Sequence, residues 1–214
     1  MAGGPGAYVF GEEERKELMD VIESGYLFRY GTEGVDGFQH KVASFETELA
    51  SKLGLKHTTA TSSGTGALLC CLAALGIGAG DEVIVPGYTF IASISSIILS
   101  NAIPVLAEVD DSLTIDPTRI EELITSRTRA IMPVHMLGNP CDMDAIMKIA
   151  KKHNLYVIED CCQAFGASYK GKRVGNFGDI AAYSLNVFKT ITAGDGGAVR
   201  SEERRVGKEC RSRW

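Results

Sequence analysis

Two periodicities of apolar residues divide the chain. Near its start they recur at helical spacing. Leu18, Val21 and Ile22 within residues 11–24, then Val42, Phe45, Leu49 and Leu53 within residues 38–53, predict two amphipathic helices. Acidic residues crowd the first turn of the former, where the helix dipole favours them, and Gly25 stops it. The Gly-rich stretch RYGTEGVDG between the two reads as a loop. From residue 56 onward, short apolar runs alternate with longer segments. HTTATSSG, DEVIVP, IPVLAEVD, RAIMPVH, LYVIED, IAAYSL and GGAV read as strands or strand ends. GTGALLCCLAAL and YTFIASISSIILSN are apolar all round and predict buried helices. DPTRIEELIT predicts a capped helix. DMDAIMKIAKKHN predicts an amphipathic one, with Met143, Ile146, Met147 and Ala150 inward and its lysines outward. Apolar strands without polar alternation, separated by helical segments, predict an α/β fold: a mostly parallel sheet with helices on both faces. No internal repeat or low-complexity linker interrupts residues 1–199.

Composition narrows the class. A chain of 214 residues, 45% hydrophobic and 23% charged, has the make-up of a globular protein with a substantial core. A net charge of −5 argues against a nucleic-acid partner. The first residues, MAGGPGAYVFGEEERKELM, lack the basic and apolar regions of a secretory signal, and ALLCCLAALGI is too short to span a bilayer, so no membrane partner and a cytoplasmic location are expected. Of six cysteines, Cys70–Cys71 and Cys161–Cys162 are vicinal, too close for ordinary disulfide geometry, and no CxxC occurs, so buried reduced thiols and no metal are expected. Arg200 to Trp214, RSEERRVGKECRSRW, breaks the pattern: it carries six basic and three acidic residues and the single tryptophan, without apolar periodicity. Its opening codons can be written AGA TCG GAA GAG CGT, and it resembles a translated sequencing adapter. The expected organisation is an N-terminal segment (1–30), a large incomplete domain (31–199) and a non-native tail (200–214), with the natural chain continuing past Val199.

Candidate chemistry gathers at strand ends. SSGTGAL, Ser62 to Leu68, follows a strand and opens a helix, where unpaired N–H groups favour an anion. Gly64 permits close approach, and the Thr65 hydroxyl can add a bond to a phosphate; Ser, Gly and Thr also make ordinary caps. GIGAGDE follows a helix and precedes a strand, the reverse of a dinucleotide fingerprint, and reads as a plain loop. Asp160 ends LYVIED, and ligands of open parallel sheets sit beyond the carboxyl ends of strands. A carboxylate among apolar neighbours needs a cationic partner. Lys189 lies 29 residues further on, in SLNVFKTITAGDGG. Its neighbours Val187, Phe188 and Ile191 are apolar, and desolvation would make its amine nucleophilic. A lysine able to capture an aldehyde, with a carboxylate on a buried strand end, is what pyridoxal 5′-phosphate (PLP) requires: the carboxylate keeps the pyridine nitrogen protonated and the ring acts as an electron sink. Gln163 and Ser184 lie near these two. Phe90 is placed either to stack on a flat ring or to pack in the core. His135 is either a pocket residue or a structural histidine.

Together FETELASKLG, SSGTGAL, GDEVIVPGYTF, RAIMPVHMLGNPCDMDAI, VIEDCCQAFGASYKGKRVGNFGDI and YSLNVFKTITAGDGGAV resemble, in order and spacing, the DegT/DnrJ/EryC1/StrS family of PLP-dependent sugar aminotransferases. The resemblance covers residues 8–199. It implies the aspartate-aminotransferase-like fold type I, with the C-terminal small domain missing here. It implies Lys189 as the lysine that carries the cofactor, Asp160 as the pyridinium partner, Gln163 and Phe90 against the ring, and Thr65 and Ser184 at the phosphate, beside the close approach that Gly64 permits. It also implies a homodimer and transfer of an amino group from glutamate or glutamine to a keto sugar, often nucleotide-linked. One branch of the family dehydrates sugars with histidine in place of the lysine, and Lys189 argues against it. Leu185 and Asn186 stand where many members have an aromatic after the serine, leaving substrate choice open. A PLP-binding protein without turnover is the remaining alternative.

Overall fold

A computed structural model describes residues 3–29 and 37–202. Most of the loop RYGTEGVDG and residues 203–214, including Cys210, lie outside the described residues. The apolar runs form one seven-stranded sheet, ordered β1 (His57–Thr61), β9 (Gly197–Ser201), β8 (Ile180–Ser184), β5 (Tyr156–Asp160), β4 (Thr128–Ile131), β2 (Glu82–Pro86) and β3 (Ile103–Ala107). Pairings from β8 through β5, β4 and β2 to β3 are parallel, and β9 runs antiparallel to both β8 and β1. The mostly parallel α/β sheet read from the sequence is therefore the observed one. β9 takes in Arg200 and Ser201, the first residues of the segment set apart by composition, and Arg200 is buried.

Both faces of the sheet are covered, as its unbroken apolar strands require. On one face Val83, Val85, Ile158 and Ala182 pack against Leu68, Cys71 and Leu72 of α3 (Gly64–Ala74) and Ile97 of α4 (Ile91–Leu99). On the other, Ile84, Ile131 and Val157 meet Met143, Ile146 and Ala150 of α5 (Met143–His153). Beside them Ala181, Tyr183 and Ala198 meet Leu49 and Leu53 of α2 (Lys41–Leu53). Alternate strand residues serve opposite faces because successive side chains point oppositely. No helix among the described residues is long and apolar enough to cross a membrane.

Several expectations change. α1 (Glu12–Ser24) forms, but none of its residues is buried, and Leu18 and Ile22 are exposed. α4 buries one face only, Ser93, Ser96 and Ile97, while Ile91, Ile98 and Leu99 are exposed. An all-apolar helix can bury only the face that meets a neighbour. DPTRIEELIT is two short 3-10 turns, Pro117–Arg119 and Glu121–Leu123, instead of one α-helix. The tighter winding eclipses positions three apart, which brings Leu123 over buried Ile120 toward the core. In RAIMPVH the strand ends at Ile131, because Pro133 has no N–H for a ladder, and Val134 makes only an isolated bridge to Asp160. Cys71, Cys141 and Cys161 are buried thiols and Cys162 is half-buried, but Cys70 is exposed. A small hairpin, β6 (Ser168–Tyr169) and β7 (Lys172–Arg173), has no apolar signature. Its turn is set by positive φ at both Lys170 and Gly171, the backbone of a type I′ turn.

Candidate active site

The carboxyl ends of β5 and β8, the N-termini of α3 and α4, and the loop 185–196 between β8 and β9 surround a cavity of about 790 Å³. Its lining includes Ser63, Gly64, Thr65, Phe90, Ser93, Asp160, Cys162, Gln163, Ser184, Asn186, Phe188 and Lys189. Ser63 caps α3 by accepting from the Gly66 N–H, at 3.0 Å. The preceding amides, Gly64 and Thr65, open the helix and have no carbonyl one turn back. A Cβ on Gly64 would stand 2.7 Å from Ser184 Cβ and 3.2 Å from Cys162 Sγ. Glycine is therefore required where the helix start meets the end of β8.

Asp160 is 3% exposed. Its Oδ2 accepts from Ser93 Oγ at 2.8 Å and its Oδ1 from the Cys162 N–H at 3.0 Å. A carboxylate offers about four lone-pair sites, so each oxygen keeps capacity for a further donor. The half-buried Lys189 sits on the loop 185–196, whose base is closed by Leu185 N–H to Gly196 O and Ala193 N–H to Leu185 O, both 2.9 Å. Burial and the charge of Asp160 push the Cys162 thiol well up, so it faces the cavity protonated.

Behind Asp160, on the opposite face of β5, Glu159 is fully buried. Its oxygens accept from the N–H groups of Gly175, Phe177 and Gly178 at 2.7, 2.7 and 2.6 Å, and from His135 Nε2 at 3.2 Å. Burial works to raise this carboxyl, but the His135 bond and the backbone donors outweigh it and hold it below the usual range. His135 Nδ1 accepts from the Cys141 N–H, which leaves the ring proton on Nε2, toward Glu159. His135 is thus a satisfied structural histidine behind the site.

Residues 9–212 match the model of the DegT/DnrJ/EryC1/StrS aminotransferase family. The chain belongs to this family. It is 41% identical over 198 residues to GDP-perosamine synthase of Vibrio cholerae, covering 92% of this chain and 52% of that protein. It is 49% identical over 175 residues to dTDP-3-amino-3,6-dideoxy-alpha-D-galactopyranose transaminase of Aneurinibacillus thermoaerophilus, covering 81% of this chain and 46% of that one. Among solved structures, the aminotransferase from Psychrobacter cryohalolentis is similar with a TM-score of 0.85 at 43% identity, over 92% of this chain and 48% of that chain. The ntda protein of Bacillus subtilis, solved with bound cofactor PMP, is similar with a TM-score of 0.83 at 34% identity, over 93% and 43% of the two chains. The chain spans about half the length of the relatives it matches.

In this DegT/DnrJ/EryC1/StrS member, Gly64, Thr65, Phe90, Asp160, Gln163, Ser184 and Lys189, named from the sequence, all line the one cavity. Phe90 is 61% exposed at the N-terminus of α4, so the core-packing alternative is excluded. Gln163 accepts from the Leu137 N–H at 3.3 Å and lies 3.4 Å from Met136 Sδ. The sequence reading missed Ser93 and its neighbour Thr89, which are 2.9 Å apart at Oγ and Oγ1. Serines recur through this helical segment, so the sequence carried no signal that singles Ser93 out.

Proposed function

We propose that the complete protein is a PLP-dependent aminotransferase. It moves an amino group from glutamate or glutamine to a keto sugar carried on a nucleotide, as a cytoplasmic homodimer serving amino-sugar and polysaccharide biosynthesis. One observation carries this reading: a lysine, a buried carboxylate and a helix N-terminus converge on one cavity. The GDP- and dTDP-linked sugars in the names of its relatives support a nucleotide-linked substrate.

The residues present fit the cofactor. Asp160 is buried with acceptor capacity to spare, which suits a cationic ring N–H. The α3 start lacks a Cβ at Gly64 and sits beside the Ser184 hydroxyl, which suits a phosphate. Bound there, PLP supplies an aldehyde that captures amines and a protonated ring that takes up charge from the amine-bearing carbon. Asp160 accepts the ring N–H and keeps it protonated. Ser93 and the Cys162 N–H fix the carboxylate's orientation. The Gly64 and Thr65 amides, with the Thr65 and Ser184 hydroxyls, bind the phosphate. Phe90 and Gln163, which line the same cavity, would lie against the ring and help to exclude water from it. The Nζ of Lys189 holds the resting cofactor and then acts as the base that takes the proton from the donor's amine-bearing carbon.

The test uses protein extended to the length of its relatives. Incubation with PLP, borohydride reduction and peptide mass spectrometry are expected to find a pyridoxyl group on Lys189. With glutamate and a nucleotide keto sugar, an amino sugar is expected, and Lys189→Ala should lower its formation by about 10³-fold or more. Normal turnover by Lys189→Ala would refute the mechanism; a dehydrated sugar would move the protein to the other branch of chemistry.

A further inference from the structure

The sequence opens on a run of glycines, GGPG, that the mechanism above does not use. In the structure this run lies along the loop that carries Lys189. The Gly4 N–H donates to Val187 O at 2.8 Å, and the Gly6 N–H donates to Lys189 O at 3.1 Å. Neither glycine has a left-handed backbone; Gly4 sits at φ −80° and ψ −173°, open to any residue. Their role is space. A Cβ on Gly4 would stand 2.2 Å from Phe188 O and 2.4 Å from its carbonyl carbon. On Gly6 it would stand 2.9 Å from Thr190 O and 3.0 Å from Ile191 Cα. These are backbone atoms, which cannot swing aside as a side-chain tip could. Pro5 then starts a 3-10 turn, Pro5–Tyr8, closed by the Ala7 N–H to Gly4 O, and Gly6 and Ala7 are buried.

We propose that Gly3–Ala7 is a strap that positions Lys189, with Gly4 and Gly6 as positioning residues. The loop's own hydrogen bonds close its base at Leu185, Ala193 and Gly196, and inside it the Lys189 N–H donates to Asn186 O at 2.9 Å. The strap ties carbonyls on both sides of Phe188, including that of Lys189 itself, so it fixes the root of the lysine side chain together with the Asn186 contact. A side chain at position 4 or 6 forces the strap off the loop and lets the amine wander from its working position. A displacement of about 1 Å suffices to cost some hundredfold in rate. The proposal rests on the reading of Lys189 given above.

The experiment compares full-length wild type, Gly4→Ala, Gly6→Ala and a variant lacking residues 1–6, which cannot clash and so leaves the rest of the fold unstrained. Hydrogen exchange of the cofactor-free proteins reads the loop directly. Exchange at 187–192 is expected to speed up in all three variants while the strands β4, β5 and β8 keep wild-type protection. In the loaded proteins kcat is expected to fall by about tenfold or more with KM for the sugar little changed. Wild-type exchange and turnover in the deletion variant would overturn the proposal. So would faster exchange spread over the whole sheet, which marks a structural contribution alone. Borohydride fixation on wild type separates the two readings. Without a pyridoxyl group on Lys189 both fail, whereas with the group present and the variants unaffected only the strap fails.

Discussion

Asp160 and Lys189 could be read from the chain because each is chemically out of place: a carboxylate closing an apolar strand, and a lysine among apolar neighbours. Ser93 could not be read in this way. A serine in a helix is commonplace, and its importance comes from pointing at Asp160 across 67 positions of sequence. With Ser93 1% exposed, its hydroxyl is a buried, charge-assisted donor. Ser93→Ala is therefore expected to destabilise the protein by about 2 kcal/mol. It should also weaken PLP binding, because the carboxylate loses one of the two donors that orient it. Urea unfolding and a cofactor titration check both effects. Unchanged values in both would show that Asp160 does not depend on this bond.

At the scale of elements, the α3 start is a tight joint beside the site. Gly64→Ala would push a methyl group into Ser184 Cβ and Cys162 Sγ. Overpacking of this kind costs about 1–3 kcal/mol. Since Ser184 is the group displaced, loss of phosphate affinity is expected to accompany loss of stability. Equilibrium dialysis with PLP, alongside thermal unfolding, tests this: a variant that binds PLP as tightly as wild type would remove the α3 start from the proposed phosphate site. Elements were legible wherever their apolar period was long. α5 puts Met143, Ile146 and Ala150 in the core as its pattern predicts. The segment 117–123 was misread because a pattern of so few residues fits an α-helix and a 3-10 turn alike. Only the position of the buried Ile120 against the core decides between them.

Over the whole molecule, hydrogen-bonded carboxyls tie stability to pH. Hydrogen bonds from His135 and the backbone hold Glu159 below the usual range against the opposing effect of burial. Glu82 is lowered by the Thr125 hydroxyl and by Arg127, and Asp142 by Tyr169. A carboxyl lower in the folded than in the unfolded chain adds stability that is complete above its unfolded value, 4.5 for glutamate, and is lost as pH falls through the folded value. Stability is thus expected to be level near neutrality, as far as these groups decide it, and to decline below about pH 4.5. Glu159→Gln should cost about 3 kcal/mol at pH 7 by leaving buried donors poorly matched, and should make the acid decline shallower. Urea titrations at a series of pH values measure both; an equally steep acid decline in the variant would exclude Glu159 as a contributor.

The sequence by itself determined the alternation of strands and helices, the α/β class and the chemical types at the strand ends. These follow from periodicity and from residues whose properties clash with their neighbours, and both are local properties of the chain. Tertiary structure alone decided which groups meet. It brought Ser93 to Asp160, set Glu159 against His135 on the far side of the same strand, and laid Gly4 and Gly6 along the loop of Lys189. Such contacts join residues tens to nearly two hundred positions apart, and the patterning of either partner carries no trace of the other. Gly4 and Gly6 show the reason most plainly. With backbone angles open to any residue, they mark a close approach between two segments, and that approach exists only once the chain has folded.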